Sequence, residues 1–525
     1  MRFATHLGIQ HNGAPKPNTT NAEGHAAFRE DLKQSIARIA FTGVLSDSFY
    51  GKENQQAGEF IPLCLDAANK EPGYLLNAAL VSRKANFKLF PKIAVGALIS
   101  SCDTKAWAKV EAHVIPLLST YSAGQLLELA LVFKAKELGK GLGSRAQRIL
   151  GLALASKNQK QLEDMTLSDR SDLQRLLRLL HPKLSPDQAA LLPYVLGDVH
   201  RATTPRQEAM DALGGSAAQA DLIRAHKLPF NATKGSANKN KDTWEAIRDN
   251  MSPLQVLLNL KALDERNAMT PQFLQEFVAG VDVSKTRLVP HDVLRPLGMA
   301  GEMPNGSHYR EPLTNLLAKL ASVPIPGLGD KRVGILLDFS GSMAPGYGQS
   351  SLGNWVLAVT LASPIMAACP NRHLAFFGGQ ACFEGQSFGM NHYGQRHECD
   401  FPYLKGCPPE AVFHNLLGLA PNSSTDIAAG INLFTANGVD LDVLFLFTDE
   451  QQNGQTPGHQ AWNQYRGKNP KAKLVVVNVS NTKWHIANES DPSITIIQSI
   501  TPLIFQQFAR FDESGVEFIE KFSSK

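Results

Sequence analysis

Residues 333–343 read VGILLDFSGSM. An almost uninterrupted apolar run of strand length, VGILLDF, predicts a strand buried on both faces, which is the signature of a parallel sheet. Asp338, Ser340 and Ser342 then alternate, and in extended backbone alternate side chains share a face, so three oxygens can enter one crevice. Three more runs of the same kind follow: HLAFFG (373–378), VDLDVLFLFTD (439–449) and AKLVVVNV (472–479), with helical patterns between them. Strand and helix in alternation predict a doubly wound α/β domain, in which ligands bind beyond the carboxyl ends of the strands. Asp449 ends one strand there, and Thr425 stands in the loop PNSSTDIAAG just before an apparent helix. Two carboxylates and three hydroxyls suit a small hard cation, Mg²⁺ or Mn²⁺, and leave it an open position. The competing reading is turn and helix-cap chemistry, with Asp426 as a cap beside Thr425.

Upstream the period changes. From about residue 22 to 320 apolar letters recur at three- and four-residue spacing, as in AAFREDLKQSIARIA and AKVEAHVIPLLSTY, broken by stops such as LGKGLGS and HPKLSPD. Helix pairs stacked as a HEAT-like α-solenoid are expected, although no clean repeat period survives. The Pro- and Gly-rich run at 322–331 sets the expected boundary, giving a helical domain over 1–325 and the α/β domain over 326–525.

The chain of 525 residues has a net charge of +4. Residues 1–300 hold 37 Lys and Arg against 29 Asp and Glu, while 301–525 hold 15 against 19. The excess concentrates at 81–160, with 13 basic and 4 acidic side chains, a field that favours polyanions unless it is only a solvated helical surface. Six cysteines show no C-x-x-C spacing, so neither a disulfide framework nor a zinc ribbon is indicated. The opening MRFATHLGIQHNGAPKPN has no signal-peptide core and no run reaches the roughly 18 apolar residues of a membrane span. A cytoplasmic protein without membrane attachment is expected.

Catalysis finds no support. Asp338 has Ser340 where a phosphoryl-transfer site would carry a second acid, F-S-G-S-M is not a G-x-S-x-G elbow, and LGKGLGSR (138–145) lacks the G-K-[ST] of a phosphate loop. The stretch CFEGQSFGMNHYGQRHECDFPYLKGC holds Cys382, His392, His397, Cys399 and Cys407 at spacings that match no common zinc site, and reads as a flexible polar insertion.

The order Asp338, Ser340, Ser342, Thr425, Asp449 is similar to the metal-ion-dependent adhesion site of von Willebrand factor A domains, D-x-S-x-S, then Thr, then Asp. With LSDSFYGKE, KGLGSRAQRIL, SDLQRLLRLLHPK, TWEAIRDNMSPLQVLLNL, RLVPHDVL, DFSGSM, SSTDIAAG, LFTDEQQNGQ and KLVVVNVSNTKWHIANESDP in sequence, nearly the whole chain resembles the Ro ribonucleoprotein, or TROVE-module, family. That resemblance implies a monomeric ring of helical repeats closed by the A domain, which binds noncoding RNA and performs no catalysis. Single-stranded 3′ ends of misfolded RNA would enter the ring, Y-type RNA would lie on its basic outside, and a 3′ exoribonuclease would be a partner, as in bacterial relatives.

Residues proposed to touch RNA are Lys134, Lys136, Lys140, Arg145 and Arg148 around the glycine turn, and Arg175, Arg178 and His181 on SDLQRLLRLLHPK. In that helix Leu173, Leu176, Leu177 and Leu180 make one stripe and the cations the opposite one; a solvated face with a dipole-favoured terminal histidine is the alternative. The resemblance matches His181 to a family histidine that helps bind RNA. Where the family has K-x-x-x-R upstream of this helix, this chain has the acidic QLEDMTLSD, with Lys157 and Lys160 as candidate substitutes. The alternative function is a metal-dependent adaptor whose A domain captures a carboxylate-bearing partner such as an ATPase.

Overall fold

A computed structural model describes residues 19–20, 26–42, 53–85, 87–138, 141–196, 201–235, 240–283, 288–344, 353–392, 395–452, 454, 456–480, 484–487, 491–498 and 503–522. Helices occupy the chain from Leu32 to Ala321, and each packs on near neighbours: 53–70 on 89–101, 104–119 on 144–155, 123–134 on 170–180, 219–226 on 241–249, and 271–280 on 306–321. This is solenoid construction, where each helix pair buries its stripe against the next.

Six strands build the second unit: β1 (Val333–Asp338), β2 (His373–Phe377), β3 (Ala381–Phe383), β4 (Val443–Thr448), β5 (Lys473–Asn478) and β6 (Ile494–Ile497). Their spatial order is β6-β5-β4-β1-β2-β3, parallel except for β3. Every residue of β1 and β4 is buried, as continuous apolar runs require. The order reverses between β1 and β4, which opens the crevice of a doubly wound sheet there. The Ile427–Ala436 helix lies so close to the sheet that a Cβ on Gly430 would stand 2.7 Å from Leu336 and 3.1 Å from Phe377, so only glycine fits without displacement.

The helical run closes on itself through the α/β unit. Its last helix, Gly306–Ala321, packs on the helices Gly353–Ala368 and Pro409–Leu417. At its other end, strand Ala26–Arg29 pairs antiparallel with Trp484–His485, and helix Leu32–Thr42 packs on Gly515–Glu520. Lys33 reaches Glu520 at 2.8 Å, and the Asn77 side chain donates to the Ile519 carbonyl at 3.1 Å. The apolar core follows the circuit: one cluster joins residues 36–195 to Leu503, Phe518 and Ile519, and a second runs from Leu167 to Phe508. The fold is therefore a ring of helices completed by the α/β unit.

Two features depart from the sequence reading. The segment rich in Cys and His is a hairpin, Ser387–His392 paired with Gln395–Asp400, whose Phe388 and neighbouring Phe401 pack under Phe339. The strand pairing that closes the ring, at 26–29 and 484–485, was not legible at all.

Candidate functional site: a carboxylate pair at the strand ends

Asp338 ends β1 and is fully buried. One carboxylate oxygen accepts the Ser340 N–H at 2.9 Å and the other accepts the Thr448 hydroxyl at 2.7 Å. Ser340 and Ser342 follow with their hydroxyls 3.1 Å apart. The adjoining loop is tied in by the Gly341 N–H, which donates to the Ser423 carbonyl at 2.8 Å, and by the Gly379 N–H, which donates to the Ser423 hydroxyl at 3.0 Å. Asp426 caps the next helix by accepting the Ala429 N–H at 3.2 Å, which leaves the buried Thr425 just ahead of that helix. Asp426 is thus the cap that the sequence suggested, and cap chemistry accounts for it but not for its neighbours.

Asp449 follows β4. Its Oδ1 accepts the Gln451 N–H at 3.2 Å, while Oδ2 is buried with no hydrogen-bond partner. An anionic oxygen in that position is costly unless something positive meets it. Burial, and then the charge of Asp449, push the Asp338 carboxyl up to about 7; burial likewise raises Asp449. The two carboxylates repel each other in a buried crevice, and the Ser342 hydroxyl offsets part of the effect of burial at Asp449. The donor set, two carboxylates with neutral hydroxyls, fits a small hard cation. Among the described residues no group of three or more His, Cys, Asp or Glu side chains could hold a metal; the side chains of His392 and His397 at the hairpin lie outside the described residues.

The next residue, Glu450, is buried and held at φ +61, in the left-handed region. Its carboxylate accepts from the Ile486 N–H at 2.8 Å and the Asn478 amide at 2.6 Å, and meets His485 Nδ1 at 3.0 Å. The other His485 nitrogen lies 3.3 Å from Glu30, which Arg38 grips at 2.9 and 3.0 Å. Burial alone would lower the imidazole pKa, but Glu450 and Glu30 carry it up to about 10. Burial tends to raise Glu30 too, but His485 and Arg38 hold it below the ordinary range. This relay joins the strand end beside Asp449 to the first helix of the ring. Sequence reasoning missed it, since Glu30 and His485 are 455 positions apart.

Of the residues assigned to RNA, Lys134, Lys136, Arg175, Arg178 and His181 are exposed and make no ion pair among the described residues. Arg148 is exposed but meets Glu111 at 2.6 Å. Arg145 is half-buried, donates to the Ile99 and Cys102 carbonyls at 3.3 and 2.9 Å, and lies over the Trp107 ring. Lys140 lies outside the described residues. The helix Arg170–Leu180 buries Leu173, Leu176, Leu177 and Leu180 as expected, but His181 sits past its end at φ +46, and Gln174 is bonded to the Val195 carbonyl at 3.0 Å. The cationic stripe is therefore Arg175 and Arg178 with His181 as the left-handed cap. Lys157 is no substitute for the missing family lysine, because it is buried and donates to the Ser119 and Tyr121 carbonyls at 2.6 and 2.7 Å; Lys160 is exposed.

Comparison with known proteins agrees with this architecture. Residues 412–509 match the family model of the Ro60 vWA domain, a span that includes Thr425 and Asp449. The crystal structure of the Ro (RSR) protein of Deinococcus radiodurans superposes with a TM-score of 0.67 at 19% identity, over 92% of this chain and 100% of that one. No curated protein sequence matches. Among the described residues no helix is long and apolar enough to cross a membrane. The chain thus carries a match to a Ro60-type von Willebrand A domain in its second unit and shares the fold of a Ro protein along almost its whole length.

Proposed function

We propose that this chain is an RNA-binding scaffold for misfolded or small noncoding RNAs, gripping single-stranded 3′ ends within the ring and structured parts on its basic outer face. The observation that carries this reading is the cationic stripe at the helix Arg170–Leu180: Arg175 and Arg178 with the capping His181 stand exposed without acidic partners among the described residues, and Lys134 and Lys136 are exposed likewise. Unpaired surface cations cost little in water and gain affinity when they displace counterions from phosphates. The scaffold does no chemistry of its own; it acts in the cytoplasm as a monomeric ring and passes bound RNA to a processing partner such as a 3′ exoribonuclease. Affinity for a structured RNA with a free 3′ tail, measured against salt, tests it: binding weakens steeply as salt rises, and no binding at low salt refutes it.

The orphaned oxygen of Asp449 favours a second activity at the other unit. There Asp338, Ser340, Ser342, Thr425 and Asp449 hold Mg²⁺ or Mn²⁺, whose open position captures a carboxylate of a protein partner, an ATPase being one candidate. Asp338→Ala then abolishes capture and leaves RNA affinity intact; loss of both from a folded variant refutes the division of labour.

A further inference from the structure

We infer that Thr448 and Glu450 couple the carboxylate pair at the strand ends to the seam that closes the ring, so that a divalent cation at Asp338 and Asp449 tightens the seam. The inference rests on the cation reading of that site and adds what its occupancy controls.

The connection is continuous. Thr448 is the last residue of β4 and fully buried; its hydroxyl donates to the Asp338 carboxylate at 2.7 Å and accepts the Glu450 N–H at 3.0 Å. One oxygen thereby ties a carboxylate of the site to the backbone of the residue that grips the seam. Glu450 holds His485 and the Ile486 N–H, and His485 reaches Glu30 just ahead of the first helix of the ring. The same turn is anchored at the end of β5, because the Ser480 hydroxyl donates to the Asp449 carbonyl at 3.0 Å and the Asn478 amide to the Glu450 carboxylate at 2.6 Å. Of two consecutive acids, one serves the crevice and the next serves the seam.

The backbone between them is strained. Glu450 is a buried non-glycine residue at φ +61, a conformation that persists only where its surroundings over-determine it. The contacts that hold it come from two places: the site, through Thr448 and Asp449, and the seam, through His485 and Ile486. Asp338 and Asp449 repel each other across the crevice, which works against the turn. A cation between them turns that repulsion into attraction and so favours the conformation that presents Glu450 to His485.

A coupling needs an element with two states, and the seam is built to be one. Its strand pairing is two residues long, Trp484 opposite Arg29 and His485 opposite Phe28, and so short a pairing is marginal alone. Among the buried residues of the second unit, only Leu503, Phe518 and Ile519 join the core of residues 36–195. The other junction is broader, since one cluster runs unbroken from the later helices into the sheet. Opening is therefore expected at the seam and not at the helix Gly306–Ala321.

Calorimetric titration of the full chain with Mn²⁺, with amide hydrogen exchange in Mn²⁺ and in EDTA, tests the coupling. Mn²⁺ is expected to bind and to slow exchange about fivefold or more in 26–42 and 484–487, with little change in Gly306–Ala321. Linkage is reciprocal, so a change confined to the seam must weaken Mn²⁺ by the same factor. Glu30→Gln is that change, since Glu30 meets Ser35, Arg38 and His485 on the far side of the seam from the site. Thr448→Val removes the bridging hydroxyl and keeps the branched shape, and should cancel the seam's response; Thr448→Ser restores the hydroxyl and the response. Mn²⁺ binding that leaves seam exchange unchanged, protects Gly306–Ala321 equally, or is indifferent to Glu30→Gln overturns the coupling and leaves the cation site standing. A response that survives in Thr448→Val overturns it too. Absence of Mn²⁺ binding by the wild type overturns the cation reading and the inference together. The wild-type and Glu30→Gln measurements decide the matter even where Thr448→Val does not fold.

Discussion

Replacing His485 with alanine should open the ring at one seam and leave its sheet intact. The imidazole lies between Glu450 at 3.0 Å and Glu30 at 3.3 Å, and its removal leaves two buried carboxylates without the cation they share. Breaking a buried charge pair costs roughly 3–5 kcal/mol. Each carboxylate keeps other donors, Arg38 on Glu30 and Asn478 with the Ile486 N–H on Glu450, which places the effect near the lower limit, about 3 kcal/mol. At 1.4 kcal/mol per factor of ten, local opening becomes roughly a hundredfold more frequent. Amide hydrogen exchange followed by mass spectrometry reads this locally. Exchange should accelerate by about that factor in 26–42, 484–487 and 515–522, and hardly change in β4. The pH dependence has a definite sign. His485 is raised from 6.5 to about 10, so its contribution is complete below 6.5 and lost as pH climbs through about 10. Glu30 is lowered from 4.5, so its share is present above 4.5 and lost on acidification. The seam should therefore be tightest between those limits. Equal acceleration in β4 and the seam, or none anywhere, refutes the relay as the clasp of the ring.

Three further outcomes follow from the geometry. The Asp338 carboxyl is raised from 3.8 to about 7, so the metal-free fold loses stability as pH climbs through that range and a cation restores it; Mn²⁺ should raise Tm more at pH above 7 than below, and Asp449→Asn should abolish that increment. Reversal of Arg175 and Arg178 to glutamate should lower the slope of log affinity for RNA against log salt by about two and leave Tm within about 1 °C, since both side chains are exposed; an unchanged slope removes them from the interface. Gly430→Ala drives a methyl group to 2.7 Å from Leu336 and should cost about 1–3 kcal/mol in denaturant unfolding; a neutral result would mean that the helix behind Thr425 is free to shift.

The sheet was legible because strand ends are local: a buried run in the letters fixes where β1 and β4 stop, and so puts Asp338 at the end of one strand and Asp449 just past the other. The helical solenoid was legible from its periodicity, but its closure was not. Closure rests on a four-residue strand meeting a two-residue strand and on a charge relay across the whole chain length, neither of which leaves a local pattern. His181 was read as an extension of its helix, whereas Pro182 disfavours helical backbone in the residue before it and turns His181 out. Lys157 resembled a surface cation in composition alone; three-dimensional packing brings it under the carbonyls of Ser119 and Tyr121. The hairpin at 387–400 was hidden by polar letters that alternate weakly, and its buried anchors are two phenylalanines.

The central claim is that the closed ring holds loose RNA ends through phosphate contacts. Anisotropy titration of one hairpin RNA in two forms, with and without a single-stranded 3′ tail, at several salt concentrations tests it most directly. The account predicts tighter binding of the tailed form and a fall in affinity for both as salt rises. Equal affinity for the two forms, or binding insensitive to salt, would contradict it.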